Sequence, residues 1–489
     1  MKLEIKYSKI YEILKNENIL VESKQTVANN INYISYDSRD IKENTLFFCK
    51  GKNYKEEYLK VAIEKGSVVY ISETKYDIDN CSYFIVNNIR RAMASIALEF
   101  YNHSFNKLET IGITGTKGKT TVSYFLRNIL NEYTKSKTAI ISTVETYTGK
   151  REEESHLTTP EPLDLQKFFY ETVESKIKYL TMEVTSQAYK MDRVYGTHFK
   201  NGMFLNIAED HISDAEHPNF EDYLNCKLQL FKNSDRLVIN ADTDYFKVVM
   251  DAAKDKEVIL YGTNNKADYY YTNIKKEIVG FSFDVKNDKT NYLNNFKISI
   301  EGRFNIENAL AAITMAKVLN VDDESIKKGL IITQVQGRMN VFENNGITVI
   351  VDYAHNELSF TKLYESIKLD YPGRKVISVG GGPGGKAYAR RKSFGIIVGN
   401  NSDYIYLTAE DPQFEEIKDI AKDIASYIAK TPYEIVVDRT EAIEKAFKNA
   451  KQGDIIVLLA KGEEDYQKVR GTFIPYESDL KIAKRLLKI

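Results

Sequence analysis

The stretch Gly112-Ile113-Thr114-Gly115-Thr116-Lys117-Gly118-Lys119-Thr120-Thr121 decides how the rest of this 489-residue chain is read. Ile111 and Ile113 lead into it at strand spacing, and Val122, Phe125, Leu126, Ile129 and Leu130 follow at helical spacing. A strand, a glycine-rich turn and a helix in that order open a parallel α/β domain. Glycines at Gly115 and Gly118 let backbone N–H groups approach phosphate oxygens at the positive end of the following helix. Lys119 would reach the terminal phosphates of a bound nucleotide and Thr120 would hold Mg²⁺, with Thr116, Lys117 and Thr121 completing the turn. The general phosphate-loop pattern has glycine where this chain has Ile113, five positions before Gly118.

Working outward, the length predicts two to four domains. Lys plus Arg number 68 and Asp plus Glu 69, so no large basic field exists to draw nucleic acid or anionic lipid. The opening Met1 to Lys6 has no signal-peptide run, and no stretch reaches the roughly 18 apolar residues of a spanning helix. Three cysteines, Cys49, Cys81 and Cys226, are unpaired by arithmetic and not spaced as metal ligands. A cytoplasmic monomer acting on small molecules is the expectation.

Short apolar runs mixed with a helical opening predict a small α/β domain over residues 1–107. Runs at 138–141, 179–182, 202–205 and 237–239 predict further parallel strands of a central domain over 108–334. Alternation at Phe281, Phe283 and Val285, then at Phe296, Ile298 and Ile300, predicts an antiparallel appendage to it. Buried-type strands at 348–351, 376–379, 404–407 and 455–459 predict a second, Rossmann-like α/β domain over 335–489.

Gly-Thr-Lys-Gly-Lys-Thr-Thr at 115–121 is similar to the loop of the Mur ligases of peptidoglycan synthesis and of the related folylpolyglutamate synthetases. Asp37-Ser38-Arg39 followed by Leu46-Phe47-Phe48 resembles the uridine-side motif of the family branch that adds the third residue to UDP-N-acetylmuramoyl dipeptide. His156-Leu157-Thr158-Thr159-Pro160-Glu161-Pro162 resembles that branch as well. Glu183-Val184-Thr185-Ser186, Asn206 to His211, Gly302 to Ala309 and Asp352 to Asn356 look like further family segments, so the resemblance spans the chain. A whole domain ahead of the loop, with Asp37-Ser38-Arg39 in it, argues against the folate enzyme.

The resemblance implies an ATP-dependent ligase whose dipeptide carboxylate becomes an acyl phosphate before an amine displaces phosphate. It implies Lys119, Glu183, His211 and Lys227 as the catalytic set. Thr120, Glu183, His211 and a carbamylated Lys227 would be the Mg²⁺ ligands. Asn305, Asn308, Arg338 and Asp352 would bind ATP; Ser38, Thr158, Thr159, Ser186 and Arg193 would bind the UDP-sugar peptide. On its own terms Glu183 reads equally as a strand-end carboxylate, His211 as a structural histidine, and Lys227 as a lysine flanking a buried helical stripe.

Amino-acid choice is where the chain departs from the family's diaminopimelate pattern, Asp-Asn-Pro-Arg. Here the stretch reads Glu410-Asp411-Pro412-Gln413, and Gln413 lacks the cationic fork a distal carboxylate would want. The later Gly-His-Glu segment reads Gly462-Glu463-Glu464. An acidic recess and an ammonium-ended amino acid, L-lysine, are the expectation. Gly381 to Lys386, followed by Arg390-Arg391-Lys392, also departs from the family's acids, which leaves the roles there open.

Overall fold

A computed structural model describes residues 3–26, 30–51, 54–210, 212–213, 216–335, 339–385 and 387–489. Three sheets organise it. The first runs in the order Leu20–Lys24, Ser82–Val86, Ser67–Ser72, Thr45–Phe48, Tyr33–Ser35, parallel except at its first pair. Helices Tyr7–Asn16, Glu56–Glu64 and Ile89–Phe100 cover it.

The central sheet has eleven strands among the described residues. Glu109–Thr114 lies inside it, between Tyr179–Glu183 on one side and Phe199–Phe204 on the other. The chain first goes outward to Ala139–Ile141, returns through Tyr179–Glu183, and then crosses to Phe199–Phe204. This reversal of direction makes the carboxyl end of Glu109–Thr114 a switch point, where parallel sheets open a crevice for ligands. The antiparallel strands Phe281–Asn287 and Tyr292–Ile298 are not a separate layer: they extend the same sheet through Tyr269–Lys276, which pairs parallel to Glu257–Gly262.

Helix Lys119–Thr134 follows the glycine turn because Val122, Phe125, Leu126, Ile129 and Leu130 form one apolar face, all without solvent exposure. That face packs with helices Phe304–Val318 and Asp323–Ile332 on one side of the sheet. Gly329 permits the approach, since a Cβ there would lie 2.4 Å from the Ile129 Cα. Each such buried side chain contributes about 1.5–3 kcal/mol, so truncating Phe125 would cost about 3–5 kcal/mol and shift the loop it carries.

The third sheet runs Asn340–Asn344, Ile347–Asp352, Ile455–Leu459, Val376–Gly380, Tyr404–Leu407, Tyr433–Ile435, parallel except at its first pair. Its strand ends face the central switch point, and a hairpin of Tyr466–Val469 and Thr472–Pro475 lies beside them. Among the described residues no helix is long and apolar enough to cross a membrane.

Candidate active site

A cavity of about 760 Å³ opens where the central and C-terminal sheets face each other. Residues 116–121 form one wall, with Thr158, Glu183 and Asn308 beside them, and Asp352 and His355 line it from the C-terminal unit. Gly118 turns the chain at φ +86°, and a Cβ on it would sit 2.4 Å from the Asn308 Oδ1, so this position needs glycine twice over. The turn is held by main chain and amide: Thr116 N–H donates to the Asn206 carbonyl at 3.0 Å, and Lys117 N–H donates to Asn206 Oδ1 at 2.9 Å. Lys119 Nζ donates to the carbonyls of Gly115 at 2.8 Å and Thr116 at 3.3 Å.

Glu183 ends its strand fully buried. Thr143 aims its carboxylate, donating from N–H to Oε1 at 2.8 Å and from Oγ1 to Oε2 at 3.1 Å. Thr159 Oγ1 donates to the Glu183 carbonyl at 2.9 Å, and Arg193 in turn donates to the Thr159 carbonyl at 3.2 Å. The hydroxyl of Thr120 and the carboxylate of Glu183 line the same cavity as hard oxygen donors, a set that suits Mg²⁺. His211, expected as a further ligand, and Arg338, expected to bind ATP, lie outside the described residues.

Lys227 is 2% exposed on helix Phe220–Lys232 and donates to the Gly115 carbonyl at 2.9 Å. Burial, reinforced by the nearby charge of Lys119, holds its amine well below the ordinary lysine range. Ser186 Oγ lies 2.9 Å from His217 Nε2, whose Nδ1 lies 2.6 Å from Asp222 Oδ2. Asp352 accepts from the backbone N–H groups of Met339 at 2.7 Å and Ala354 at 2.8 Å, so its carboxylate also pins its own loop. Asn305 donates to the Glu301 carbonyl at 2.6 Å, and Asn308 to Asn305 Oδ1 at 2.9 Å.

A second group of charged side chains, where the acidic recess was expected, lies at the strand ends of the C-terminal sheet. Lys461, 1% exposed, sits between two of its acids, donating to Asp411 Oδ1 at 2.9 Å and also to Glu464. Glu464 accepts from Tyr353 Oη at 2.9 Å. Gln413 adopts φ +52° and pairs its backbone with the hairpin, its N–H donating to the Lys468 carbonyl at 2.9 Å. Glu410 is different: desolvation in the recess pushes its carboxyl up to about 7, against the attraction of Arg390. Glu463 is raised as well, by partial burial. Beneath the recess the fully buried Arg439 grips Asp479 through two bonds of 2.8 and 2.6 Å and donates to the carbonyls of Ala409 and Leu459.

Residues 113–316 match the Mur ligase middle domain, and residues 337–462 match the Mur ligase glutamate ligase domain. A UDP-N-acetylmuramoyl-L-alanyl-D-glutamate--L-lysine ligase of Streptococcus agalactiae (serotype V) is 41% identical, covering 99% of this chain and 100% of its own. The chain belongs to the Mur ligase family. Two further relatives are 40% identical: the like-named L-lysine ligase of Enterococcus faecalis, over 93% of this chain and 91% of its own, and a UDP-N-acetylmuramyl-tripeptide synthetase of Ligilactobacillus salivarius, over 96% of each. Among solved structures, MurF from Acinetobacter baumannii superposes at a TM-score of 0.70 with 17% identity, covering 100% of both chains. A UDP-N-acetylmuramoyl-L-alanyl-D-glutamate--2,6-diaminopimelate ligase superposes at 0.64 with 22% identity, covering 99% of this chain and 98% of that one. These two speak to fold. As a Mur ligase the chain is an ATP-dependent enzyme that forms an amide bond.

Read as a Mur ligase, the chain collects the expected phosphate and metal residues in one cavity: Thr116, Lys117, Gly118, Lys119, Thr120, Thr121, Thr158, Glu183, Asn308 and Asp352 line it. Gly115, Thr159, Lys227 and Asn305 stand directly behind that lining. Ser38 does not line it: it lies in the turn that follows strand Tyr33–Ser35 of the N-terminal sheet, where its carbonyl accepts from Lys65 at 3.1 Å. Glu410, Asp411, Gln413, Gly462 and Glu464 lie together around the second recess, whereas the charges that act on Glu463 are Lys484 and Lys481 of the last helix. The sequence reading missed Thr143, Lys461 and Arg390. Lys461 directly precedes the Gly462-Glu463-Glu464 segment, a signal that was available; Thr143 and Arg390 carried no spacing that marked them.

Proposed function

We propose that the chain joins L-lysine to the D-glutamate of UDP-N-acetylmuramoyl-L-alanyl-D-glutamate, with ATP and Mg²⁺, as a cytoplasmic monomer whose domains divide near residues 107 and 334. The observation that carries this reading is Glu410, a carboxylate with no ion pair among the described residues, beside a Lys461 that already pairs with Asp411 and Glu464. An ammonium group is the partner it wants, and a diaminopimelate carboxylate would meet Glu410 with no arginine at Gln413. The L-lysine ligases of Streptococcus agalactiae and Enterococcus faecalis support it by likeness over nearly the whole chain.

In this mechanism an oxygen of the peptide carboxylate attacks the γ-phosphorus of ATP. The bond from that phosphorus to the ADP oxygen breaks, and ADP leaves with the electron pair. The lysine amine, in its uncharged form, then attacks the carbonyl carbon of the acyl phosphate, the C–O bond breaks so that phosphate leaves with the electron pair, and the proton lost from the nitrogen goes with the phosphate. Lys119 exchanges its two carbonyl contacts for the phosphates, and the N–H groups of the turn hold them. Thr120, Glu183, His211 and Lys227 are the residues that would hold Mg²⁺, which supplies neutralisation of the crowded phosphate and carboxylate charge. Lys227 takes part as its carbamate, formed when the uncharged amine adds to CO₂ with loss of a proton; the remaining N–H still has the Gly115 carbonyl to bond. Ser38, Thr158, Thr159, Ser186 and Arg193 bind the nucleotide peptide; Asn305, Asn308, Arg338 and Asp352 bind ATP. Closure of the C-terminal unit keeps water from the acyl phosphate.

The test is phosphate release by the purified protein. It should require ATP, the UDP-muramoyl dipeptide and an amino acid together; release with a folate in place of the dipeptide, or without an amino acid at full rate, would defeat the reading.

A further inference from the structure

Behind the cavity a serine, a histidine and a carboxylate stand in line. Ser186 opens the helix Ser186–Lys190, one residue after Thr185, which lines the cavity. Its Oγ lies 2.9 Å from Nε2 of His217, and Nδ1 of the same ring lies 2.6 Å from Asp222 Oδ2. His217 is fully buried. Its ring meets the Tyr223 ring edge-on at 5.2 Å, and the Tyr223 hydroxyl lies 3.1 Å from Thr116 Oγ1 in the phosphate turn. Main chain pins the segment: Ser213 N–H donates to the His217 carbonyl at 2.9 Å, and Ser213 and Glu216 line the cavity. At the far end the Asp222 N–H donates to Asn219 Oδ1 at 2.9 Å, which fixes the carboxylate on the first turn of its helix.

Proton positions follow from the acceptor at that end. Lys190 donates to Asp222 Oδ2 at 2.8 Å, and this bond, with a smaller share from His217, holds the Asp222 carboxyl below the ordinary aspartate range. An ionised carboxylate only accepts, so the hydrogen between Asp222 and His217 belongs to Nδ1. Away from water the neutral ring is favoured, and a neutral ring with its hydrogen on Nδ1 keeps a lone pair on Nε2. The Ser186 hydroxyl therefore donates to Nε2. His217 is the one hydrogen-bond partner of that hydroxyl among the described residues. With its single hydrogen turned inward, Ser186 has only lone pairs left for a ligand. It can accept from an N–H, and it cannot donate to a carboxylate or a phosphate.

We propose that His217 is a positioning residue of the ligation: braced by Asp222, it holds the Ser186 hydroxyl as the acceptor for an amide N–H in the peptide part of the nucleotide substrate. This rests on the ligase reading above, in which Ser186 touches that substrate. His217 itself touches neither the substrate nor the reacting atoms, and no proton is transferred. The carboxylates and diphosphate of the same molecule have no hydrogen to give, so they are left to donors such as Arg193. An amide accepted at Ser186 sets the register of the peptide, and with it the place where the reacting carboxylate lies.

A buried knot that only packs the loop is the competing role, and a cycle with S186A separates the two. Steady-state phosphate release would be measured for wild type, S186A, H217L and S186A/H217L, varying the UDP-muramoyl dipeptide at saturating ATP and lysine. S186A and H217L should each raise KM for the dipeptide about tenfold, with KM for ATP little changed. The double variant should be no worse than about threefold beyond either single one, because the second change removes nothing that is still in use. H217L may lower the thermal midpoint without altering this pattern, as a packing role alone would. Losses that multiply to about 100-fold in the double variant would overturn the proposal, as would a KM within about twofold of wild type in S186A or in H217L. A second measurement needs no destabilising change: nitrogen NMR of the full chain, with its six histidines selectively labelled and the UDP-muramoyl dipeptide bound. H217Q assigns the His217 signals by removing them. A hydrogen on Nδ1 and none on Nε2 is the expected state, and a hydrogen on Nε2 would overturn the proposal even if H217L did not fold. Failure of the ligase reading is distinct, since wild type would then show no peptide-dependent phosphate release.

Discussion

Around residues 115–120, position is set by the main chain: a left-handed glycine, N–H groups bonded to Asn206, and a lysine resting on two carbonyls. Around residues 410–464, position is set by opposed side-chain charges, with Lys461 between Asp411 and Glu464 and Arg439 bound to Asp479 beneath. The first arrangement recognises what every ATP has in common. On the proposed reading the second selects among amines, and a few changed side chains would retune it without disturbing the backbone. A family can therefore keep one phosphate site and vary the amino acid it adds.

The contrast can be broken in several ways. K119A should remove the largest share of activity, lowering kcat on the order of 10³-fold in a phosphate-release assay, while the UDP-peptide still binds by calorimetry. R439M should leave Asp479 buried and unpaired and cost about 3–5 kcal/mol in urea unfolding, with the recess lost before the P-loop cavity as seen by hydrogen exchange. E410Q should raise KM for lysine roughly tenfold or more and leave KM for ATP unchanged; equal effects on both would mean that the two regions are not separable.

The smallest effect is on pH. The Glu410 carboxyl sits above its ordinary value, near 7, because burial disfavours its charge. It is thus largely neutral at pH 6 and ionised at pH 8, and KM for lysine should fall a few-fold as pH rises between them. The same shift makes the lysine-free protein lose stability as pH rises from the ordinary glutamate value toward 7, because the folded state holds a proton that the unfolded chain has released. E410Q should flatten both trends.

Legibility followed the same division. Glycine, lysine and threonine at fixed offsets after an apolar strand leave few alternatives, so the cavity and the helix Lys119–Thr134 could be read before any coordinates. Extending the central sheet through Tyr269–Lys276 was not readable, because alternation marks a strand but not the neighbour it pairs with. The recess read as acidic because Glu410, Asp411, Glu463 and Glu464 are countable, whereas Lys461 matters only through where its ammonium lies. Arg390 was similarly hidden: a basic run at 390–392 is commonplace, and only the fold carries one of its members across to Asp210.

The most direct measurement is competition among amines. Supplied with ATP and the UDP-muramoyl dipeptide, the protein should ligate L-lysine with a kcat/KM about 100-fold or more above that for meso-diaminopimelate, with ornithine between them. Ligation of meso-diaminopimelate as well as or better than lysine would contradict the role given to Glu410, and with it the account of how this chain chooses its substrate.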